Sequence, residues 1–212
     1  MEILSRVASY EMAYRMQVSV PELMDLRQGS EQTLAAYGAE PGKSSLANNC
    51  LLARRLVERG IRFVQLYDRG WDSLTHIENQ YKRQCAAADR PVAALWRDLK
   101  QRGLLNNTLV IWGRTWPDTG CTGFRKNMGR NHHPHGFTMW MAGGGAKAGL
   151  THGATDDFGY HVANEGVHVR DLHTNILRLM GIDLHRFKYP FKGLDLGLIG
   201  VEPARVVKEL IA

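Results

Sequence analysis

Residues 61–67 read IRFVQLY, and apolar and polar side chains alternate along them. This alternation of β-favouring residues predicts a strand. A second run, TLVIW at residues 108–112, is short and continuously apolar, as in strands that are buried on both faces of a sheet. The chain between them has a helical pattern that ends near Gly103. Strand, helix and strand in this order form a βαβ unit, which predicts an α/β fold with a mostly parallel sheet flanked by helices.

The rest of the chain continues the alternation of helical and extended patterns. In chain order, we predict an amphipathic helix over residues 2–17, a helix from a Ser44–Ser45 cap to about Arg59, a polar loop over residues 113–135, a strand over 136–142, irregular chain over 146–166, and helices over 169–180 and 203–211.

The composition is that of an ordinary globular protein. Apolar residues make up 44% and charged residues 23% of the 212 residues, which excludes a mainly disordered chain and fits one domain. The longest apolar runs fall far short of the ~18 residues of a membrane span, so no membrane partner is expected. The three cysteines are widely spaced and odd in number, which indicates free thiols; they are Cys50, Cys85 and Cys121.

The net charge of +6 comes from Lys and Arg residues that are scattered along the chain. Scattered charge indicates a solvated basic surface or an anionic substrate, and no nucleic-acid partner is expected. The first residues have no basic segment followed by an apolar stretch, so the chain as written is expected to be cytoplasmic.

The loop after the first predicted strand holds a candidate metal site. Ligands of open α/β sheets bind beyond the carboxyl ends of the strands. Asp72 and His76 lie in this loop with the spacing Asp-x3-His. A carboxylate and a neutral imidazole suit zinc or a similar divalent ion. The alternative is that Asp72 only caps the following helix.

The loop before the strand at 136–142 holds three histidines in four positions: His132, His133 and His135. Imidazole is the commonest metal ligand near neutral pH. Because adjacent residues of an extended chain face opposite ways, one or two of these histidines can reach the same ion. Asp118, earlier in the loop, is a candidate carboxylate ligand. A surface cluster without a ligand role is the alternative.

Candidate anion contacts come from two arginines and a glycine run. Arg114 and Arg130 lie in the same polar loop, and residues 143–145 are three glycines through which backbone could approach a phosphate or sulfate. The alternatives are a surface charge for Arg114 and a plain turn for the glycines.

A further group of polar residues surrounds the predicted start of the helix at Val169. Asp171 in the first turn fits the helix dipole, and His173 fits a capping or packing role. The group consists of His161, His168, Asp171 and His173.

Five stretches resemble the domain-of-unknown-function 1501 (DUF1501) proteins, which are similar to sulfatases of the alkaline phosphatase superfamily. The resemblance covers essentially the whole chain, and the five stretches are RRLVERGIRFVQL (54–66), GWD (70–72), LVIWG (109–113), GRNHHP (129–134) and MWMAGGG (139–145).

The resemblance implies a hydrolase of sulfate or phosphate esters, including those of carbohydrates, with two divalent ions of zinc, calcium or manganese. Carried over, the metal ligands are Asp72 with His76 and either His132 or His133. Relatives are longer and carry an export signal, a first metal-binding aspartate and a Ser/Thr nucleophile ahead of this region. We therefore expect residues 1–212 to be one partial domain, the C-terminal half of an alkaline-phosphatase-like fold, with the nucleophile outside it.

Full-length relatives look exported or periplasmic, unlike the chain as written. A second polypeptide that completes the fold is a further expected partner, because a partial sheet would leave hydrophobic edges open.

The chain departs from the family pattern at two places. Leu74 stands where relatives usually have a histidine, and His76 restores the spacing of the superfamily. Gly113 is followed directly by Arg114, whereas relatives have an acidic residue in this loop, for which Asp118 is the candidate replacement. Three hypotheses stay open: a metal-dependent hydrolase, a non-catalytic module that binds an anion or sulfated sugar, and a nonfunctional gene fragment.

Overall fold

The structure is a computed structural model. It describes residues 2–113, 118–122, 128–184, 186–198 and 202–212, and at residues 2, 15, 16, 18, 19, 118–122, 131 and 132 it describes the backbone alone.

The chain divides into two compact units. The first unit is helical and comprises Met1–Asp72 and Glu78–Leu104. The second comprises Ser73–Ile77 and Leu105–Ala212 and contains the strands. The prediction of a single partial domain over residues 1–212 stays a prediction.

Four helices form along the first unit: α1 (Glu2–Met24), α2 (Glu31–Tyr37), α3 (Leu46–Glu58) and α4 (Ile77–Gln101). The serine cap predicted for α3 is confirmed, because the Ser45 hydroxyl accepts a hydrogen bond of 3.1 Å from the Asn48 N–H. Ser30 caps α2 in the same way, through the Thr33 N–H at 3.2 Å. The helix predicted at residues 2–17 is confirmed and extends to Met24.

A partly buried network of charged and polar side chains ties α2, α3 and α4 together. The Tyr37 hydroxyl donates to Asp98 Oδ2 at 3.0 Å, and Arg54 Nε lies 3.0 Å from the same oxygen. Arg102 donates to Asp98 Oδ1 at 2.6 Å, and both arginines also pair with Glu58. Tyr37 and Arg54 are buried, so the charge of Arg54 is compensated by its carboxylate partners rather than by water.

In the described residues of the second unit the strands pair two by two, and every pair is antiparallel. The pairs are β1 (Val110–Trp112) with β4 (Trp140–Ala142), β2 (Asp118–Thr122) with β3 (Gly129–His132), β5 (Ala154–Thr155) with β6 (Val162–Asn164), and β7 (Lys188–Phe191) with β8 (Leu194–Gly197).

The predicted mostly parallel sheet flanked by helices is therefore wrong. Residues 61–67 form no strand, and Phe63 and Tyr67 are 70% and 78% exposed. Alternation predicts only a half-buried surface, whereas a strand also needs a neighbour, and no described strand pairs with residues 61–67. The second half of the predicted βαβ unit does form β1, but β1 pairs with β4 in the opposite direction. The described structure is thus helices with two-stranded antiparallel sheets.

Helix α5 (Val169–Leu179) agrees with the prediction for residues 169–180. The helix predicted at 203–211 is wrong, because only a 3₁₀ turn at Lys208–Leu210 forms. The backbone N–H groups of Arg205 and Val207 donate instead to Asp171 Oδ1 at 2.9 Å and Asn175 Oδ1 at 2.8 Å on α5. The last segment is consequently held in extended form along α5.

The predicted polar loop at 113–135 contains the pair β2–β3, and the irregular stretch at 146–166 contains β5–β6. Among the described helices, none is both long and apolar enough to span a bilayer.

Candidate functional site

Backbone pairing places the segment 73–77 beside β3. The Arg130 N–H donates to the Ser73 carbonyl at 2.9 Å, and the Ile77 N–H donates to the Met128 carbonyl at 3.0 Å. The two stretches run so close that a Cβ at position 129 would overlap the backbone of Leu74, which explains the glycine there. The segment 73–77, which contains His76, therefore lies beside β3, the strand that contains His132 and precedes His133 and His135.

On the other side of β3 lies β2, and the register of this pair joins two predicted ligands. Asp118 and His132 are Cα partners, 14 positions apart in sequence. The structure describes only the backbone at both residues. The segment 73–77 and β2 thus both pair with β3, with Asp118 opposite its last residue, His132, and His76 near its start at Met128 and Gly129.

His133 follows β3 directly and is buried, with 3% of its surface exposed. Its Nε2 forms a hydrogen bond with the Tyr160 carbonyl. A carbonyl oxygen only accepts, so Nε2 carries the proton and neutral His133 keeps its lone pair on Nδ1. Metal-binding histidines commonly have this arrangement, in which the ring N–H that is not used for the metal donates to a carbonyl.

Aromatic rings pack around His133. Its ring centroid lies 4.3 Å from that of Tyr160 and 5.1 Å from that of His135. The His135 centroid is in turn 6.1 Å from that of His161. His135 and His161 were candidates in the sequence because of their residue type. Tyr160 was not, because it lies 27 positions from His133 in sequence and its contact with His133 depends on the fold.

The turn that carries Tyr160 is fixed by Asp156. Asp156 Oδ1 accepts from the Tyr160 N–H at 2.7 Å and Oδ2 accepts from the His161 N–H at 3.0 Å. These bonds to the backbone, that of Tyr160 first, lower the pKa of Asp156 below its ordinary value. The Asp-Asp-Phe-Gly sequence at 156–159 is a turn signal that could have located this feature, but sequence analysis did not single out Asp156.

Buried Ser73 is the other residue that the sequence did not flag. The residue is fully buried, and its hydroxyl has no hydrogen-bond partner within the described residues. An unpaired hydroxyl in the interior is costly, so it marks a position where a polar ligand would be stabilised. Ser73 lies three residues before His76, and its carbonyl accepts the Arg130 N–H.

The other predicted ligands and anion contacts are placed as follows. Asp72 ends the first stretch of the helical unit and is exposed. His76 is exposed, with φ +49° immediately before α4. Arg130 is exposed on β3, while Arg114 lies outside the described residues.

Within the part of the chain that the structure describes, no group of three or more His, Cys, Asp and Glu side chains is arranged to hold a metal ion. The side chains of Asp118 and His132 are not among those described. The Nε2 bond of His133, which leaves Nδ1 without the proton, and the hydroxyl of Ser73, which has no hydrogen-bond partner within the described residues, are the observations that fit a divalent ion and its polar surroundings.

The residues around the start of α5 have roles in holding the helix and its neighbour. His168 caps α5, because its Nδ1 accepts from the Arg170 N–H at 3.2 Å. His173 Nδ1 donates to the Val169 carbonyl at 2.7 Å. Asp171 accepts the Arg205 N–H, as described above. These three residues therefore act as caps and clamps, which agrees with the capping and packing alternatives for this group.

The glycines at 143–145 form a turn with φ angles of +74°, +55° and +85°. The Gly144 N–H donates to the Leu105 carbonyl at 2.9 Å. A Cβ at position 143 or 144 would overlap the chain at 105–109. The glycines are thus explained as a plain turn that packs closely against residues 105–109.

A family model described as "Protein of unknown function (DUF1501)" matches residues 1–211. The chain belongs to the DUF1501 family. The match covers nearly the whole chain and confirms the resemblance to the DUF1501 family that the sequence indicated. Searches among curated proteins and solved structures found no match for this DUF1501 chain.

Proposed function

We propose that this DUF1501 chain carries part of a divalent-metal site for hydrolysis of sulfate or phosphate esters, in the manner of the sulfatase-like proteins of the alkaline phosphatase superfamily. The ligands would come from His76, His132, His133 and Asp118, with Asp72 carried over from the resemblance. Arg130 and Arg114 would contact the anionic ester group. The substrate class is a small-molecule or carbohydrate ester.

The observation that carries the proposal is the assembly around β3. Two candidate ligands, Asp118 and His132, are register partners, and the segment that contains His76 is bonded to the same strand through Ser73 and Arg130. These residues come from three separate stretches of sequence. A carboxylate and two imidazole residues on segments that pair with one strand support the proposal of a metal site.

The residues have distinct tasks in this proposal. His133, held by the Tyr160 carbonyl, offers Nδ1 as a ligand atom. Carboxylate and imidazole ligands together suit zinc or manganese, and a bound divalent ion would supply charge for the oxygens of the ester. Exposed Arg130 can orient the anion through charge-assisted hydrogen bonds.

The proposal depends on these residues and not on a parallel sheet. The described strands are antiparallel pairs, so the likeness to sulfatases is drawn from the motifs and their spacing. The catalytic nucleophile is not assigned to any residue of the chain.

The test is metal content by mass spectrometry on the purified chain after supplementation with zinc or manganese, alongside hydrolysis of aryl sulfate and aryl phosphate esters. His76→Ala and His133→Ala should lower the bound metal. His173→Ala is the matched control, because the His173 ring bonds only to its own helix in the described contacts.

Each outcome has a distinct meaning. Metal that is lost in both histidine variants, kept in the control and accompanied by turnover supports the hydrolase. Metal without turnover supports the non-catalytic anion-binding module instead. A wild-type chain that folds and binds no metal contradicts the proposed site.

A further inference from the structure

We propose that Asp156 is a positioning residue that fixes the tautomer of His133 through the peptide group between Tyr160 and His161, and so makes Nδ1 the ligand nitrogen. The tautomer part of this inference stands on the contacts alone. The metal-binding part rests on the proposed function.

The first step is the bond between His133 and Tyr160. His133 Nε2 donates to the Tyr160 carbonyl, and the His133 ring is buried. In neutral imidazole one nitrogen carries the proton and the other keeps a lone pair. A fixed acceptor at Nε2 therefore determines that Nδ1 is the nitrogen available to a metal.

The second step is the orientation of the acceptor. The Tyr160 carbonyl and the His161 N–H belong to the same planar peptide group and point in opposite directions across it. Asp156 Oδ2 accepts that N–H at 3.0 Å. Asp156 thus accepts the N–H of this peptide group, and the carbonyl of the same group accepts the Nε2–H of His133.

The third step is that Asp156 restricts the whole turn. Its Oδ1 accepts the Tyr160 N–H at 2.7 Å, and its own N–H donates to the His161 carbonyl at 2.9 Å. The carboxylate therefore bonds to the amide groups on both sides of Tyr160. Rotation of the Tyr160 carbonyl away from His133 would break these bonds.

The charge of Asp156 acts in the same direction as its geometry. A carboxylate that accepts the His161 N–H polarises that peptide group, which makes the Tyr160 carbonyl a stronger acceptor. A stronger acceptor at Nε2 raises the basicity of Nδ1. Asp156 thereby acts on the candidate ligand atom without touching it.

The experiment measures the tautomer directly, by ¹⁵N NMR of the histidine rings at about pH 8. Wild type should show His133 protonated on Nε2, with assignment from His133→Gln. Asp156→Ala should give a mixture of both tautomers. Asp157→Ala is the matched control, since this exposed neighbour carries the same charge.

Asp156→Asn serves as a second variant if Asp156→Ala does not fold. It keeps one acceptor oxygen and removes the charge, so an intermediate tautomer population is expected. Zinc affinity of the folded variants should fall about 10- to 100-fold for Asp156→Ala and stay unchanged for Asp157→Ala.

Retention of the Nε2–H tautomer in both Asp156 variants, or an Nδ1–H tautomer in wild type, would overturn the inference. If wild type binds no zinc but Asp156→Ala shifts the tautomer, the proposed function fails while the role of Asp156 in fixing His133 is supported.

Discussion

Asn175 and Val207 form a reciprocal pair of hydrogen bonds, each 2.8 Å long. Asn175 Nδ2 donates to the Val207 carbonyl, and the Val207 N–H donates to Asn175 Oδ1. Asn175 is fully buried and Val207 is 4% exposed, so neither backbone group of Val207 can turn to water instead. One side chain on α5 thus satisfies both polar groups of a buried residue.

Asn175→Ala should destabilise the protein by about 2–4 kcal/mol, because it leaves a buried N–H and a buried carbonyl without partners. The measurement is urea unfolding followed by circular dichroism. Asn79→Ala, at an exposed position on α4, is the control and should stay within about 0.5 kcal/mol of wild type. Equal urea midpoints for the two variants would contradict a stabilising role of the Asn175–Val207 hydrogen bonds.

Gly144→Ala should be more destabilising than Gly149→Ala. Both glycines have positive φ, +55° and +71°, so each alanine carries about 1 kcal/mol of backbone strain. Only at position 144 would the new Cβ also overlap Leu109, whereas position 149 has open space around it. We expect a further loss of about 1–3 kcal/mol for Gly144→Ala in chemical denaturation. A Gly149→Ala variant that is equally unstable would show that strain alone matters.

Cys50 should resist thiol reagents in the folded protein, whereas Cys85 should react. Cys50 is buried, and burial together with the charge of Asp68 raises its pKa to about 12. The thiolate is the reactive form, so at pH 8 almost none is present at Cys50. Cys85 is exposed.

The measurement for the thiols is titration with Ellman's reagent in a Cys121→Ser background. One fast thiol should appear in the folded chain, and it should disappear in Cys85→Ser. Both thiols should react in urea. A fast reaction of Cys50 in the folded chain would be inconsistent with its burial.

Stability should fall at alkaline pH because of Tyr37. Burial, reinforced by the charge of Asp98, raises the pKa of Tyr37 above its ordinary value. A raised pKa in the folded state means that stability is fully present below the unfolded value of about 10 and is lost as pH rises beyond it. Urea unfolding at pH 8 and pH 10.5 should therefore show a decline in wild type.

Tyr37→Phe should reduce that alkaline decline, and it should cost about 1 kcal/mol at pH 8 through loss of the bond to Asp98. Tyr10→Phe, at an exposed position on α1, should leave both values as in wild type. If the free energy of unfolding of Tyr37→Phe falls between pH 8 and pH 10.5 as much as in wild type, another group causes the decline.

Helices with strong local signals were predictable, whereas the short helix α2 was not predicted. Ser45 caps α3 from within one turn, and the apolar spacing of residues 169–180 was enough to locate α5. Two of the predicted strands, at 108–112 and 136–142, form in part as β1 and β4, whereas the alternating segment 61–67 does not, because a strand forms only when a partner is available. The segment at 203–211 failed for a related reason, because Asp171 and Asn175, more than 30 positions away, bind the N–H groups of Arg205 and Val207 outside a helix.

The candidate site was predictable by residue type and only partly by arrangement. The spacing of Asp72 and His76 and the run of histidines were visible in the sequence. The register of Asp118 with His132 and the contact of His133 with Tyr160 depend on how separate segments pair, and residue spacing carries no information about that.

The network of Tyr37, Arg54, Glu58, Asp98 and Arg102 restricts how this part of the chain can vary in evolution. Loss of Arg54 alone would leave half-buried Asp98 with one cation fewer, and loss of Asp98 alone would leave buried Arg54 with only Glu58. Replacing both partners by apolar residues of similar volume removes the buried charge altogether and costs far less. Substitutions at these positions should therefore be strongly epistatic, and the network should change in pairs or not at all.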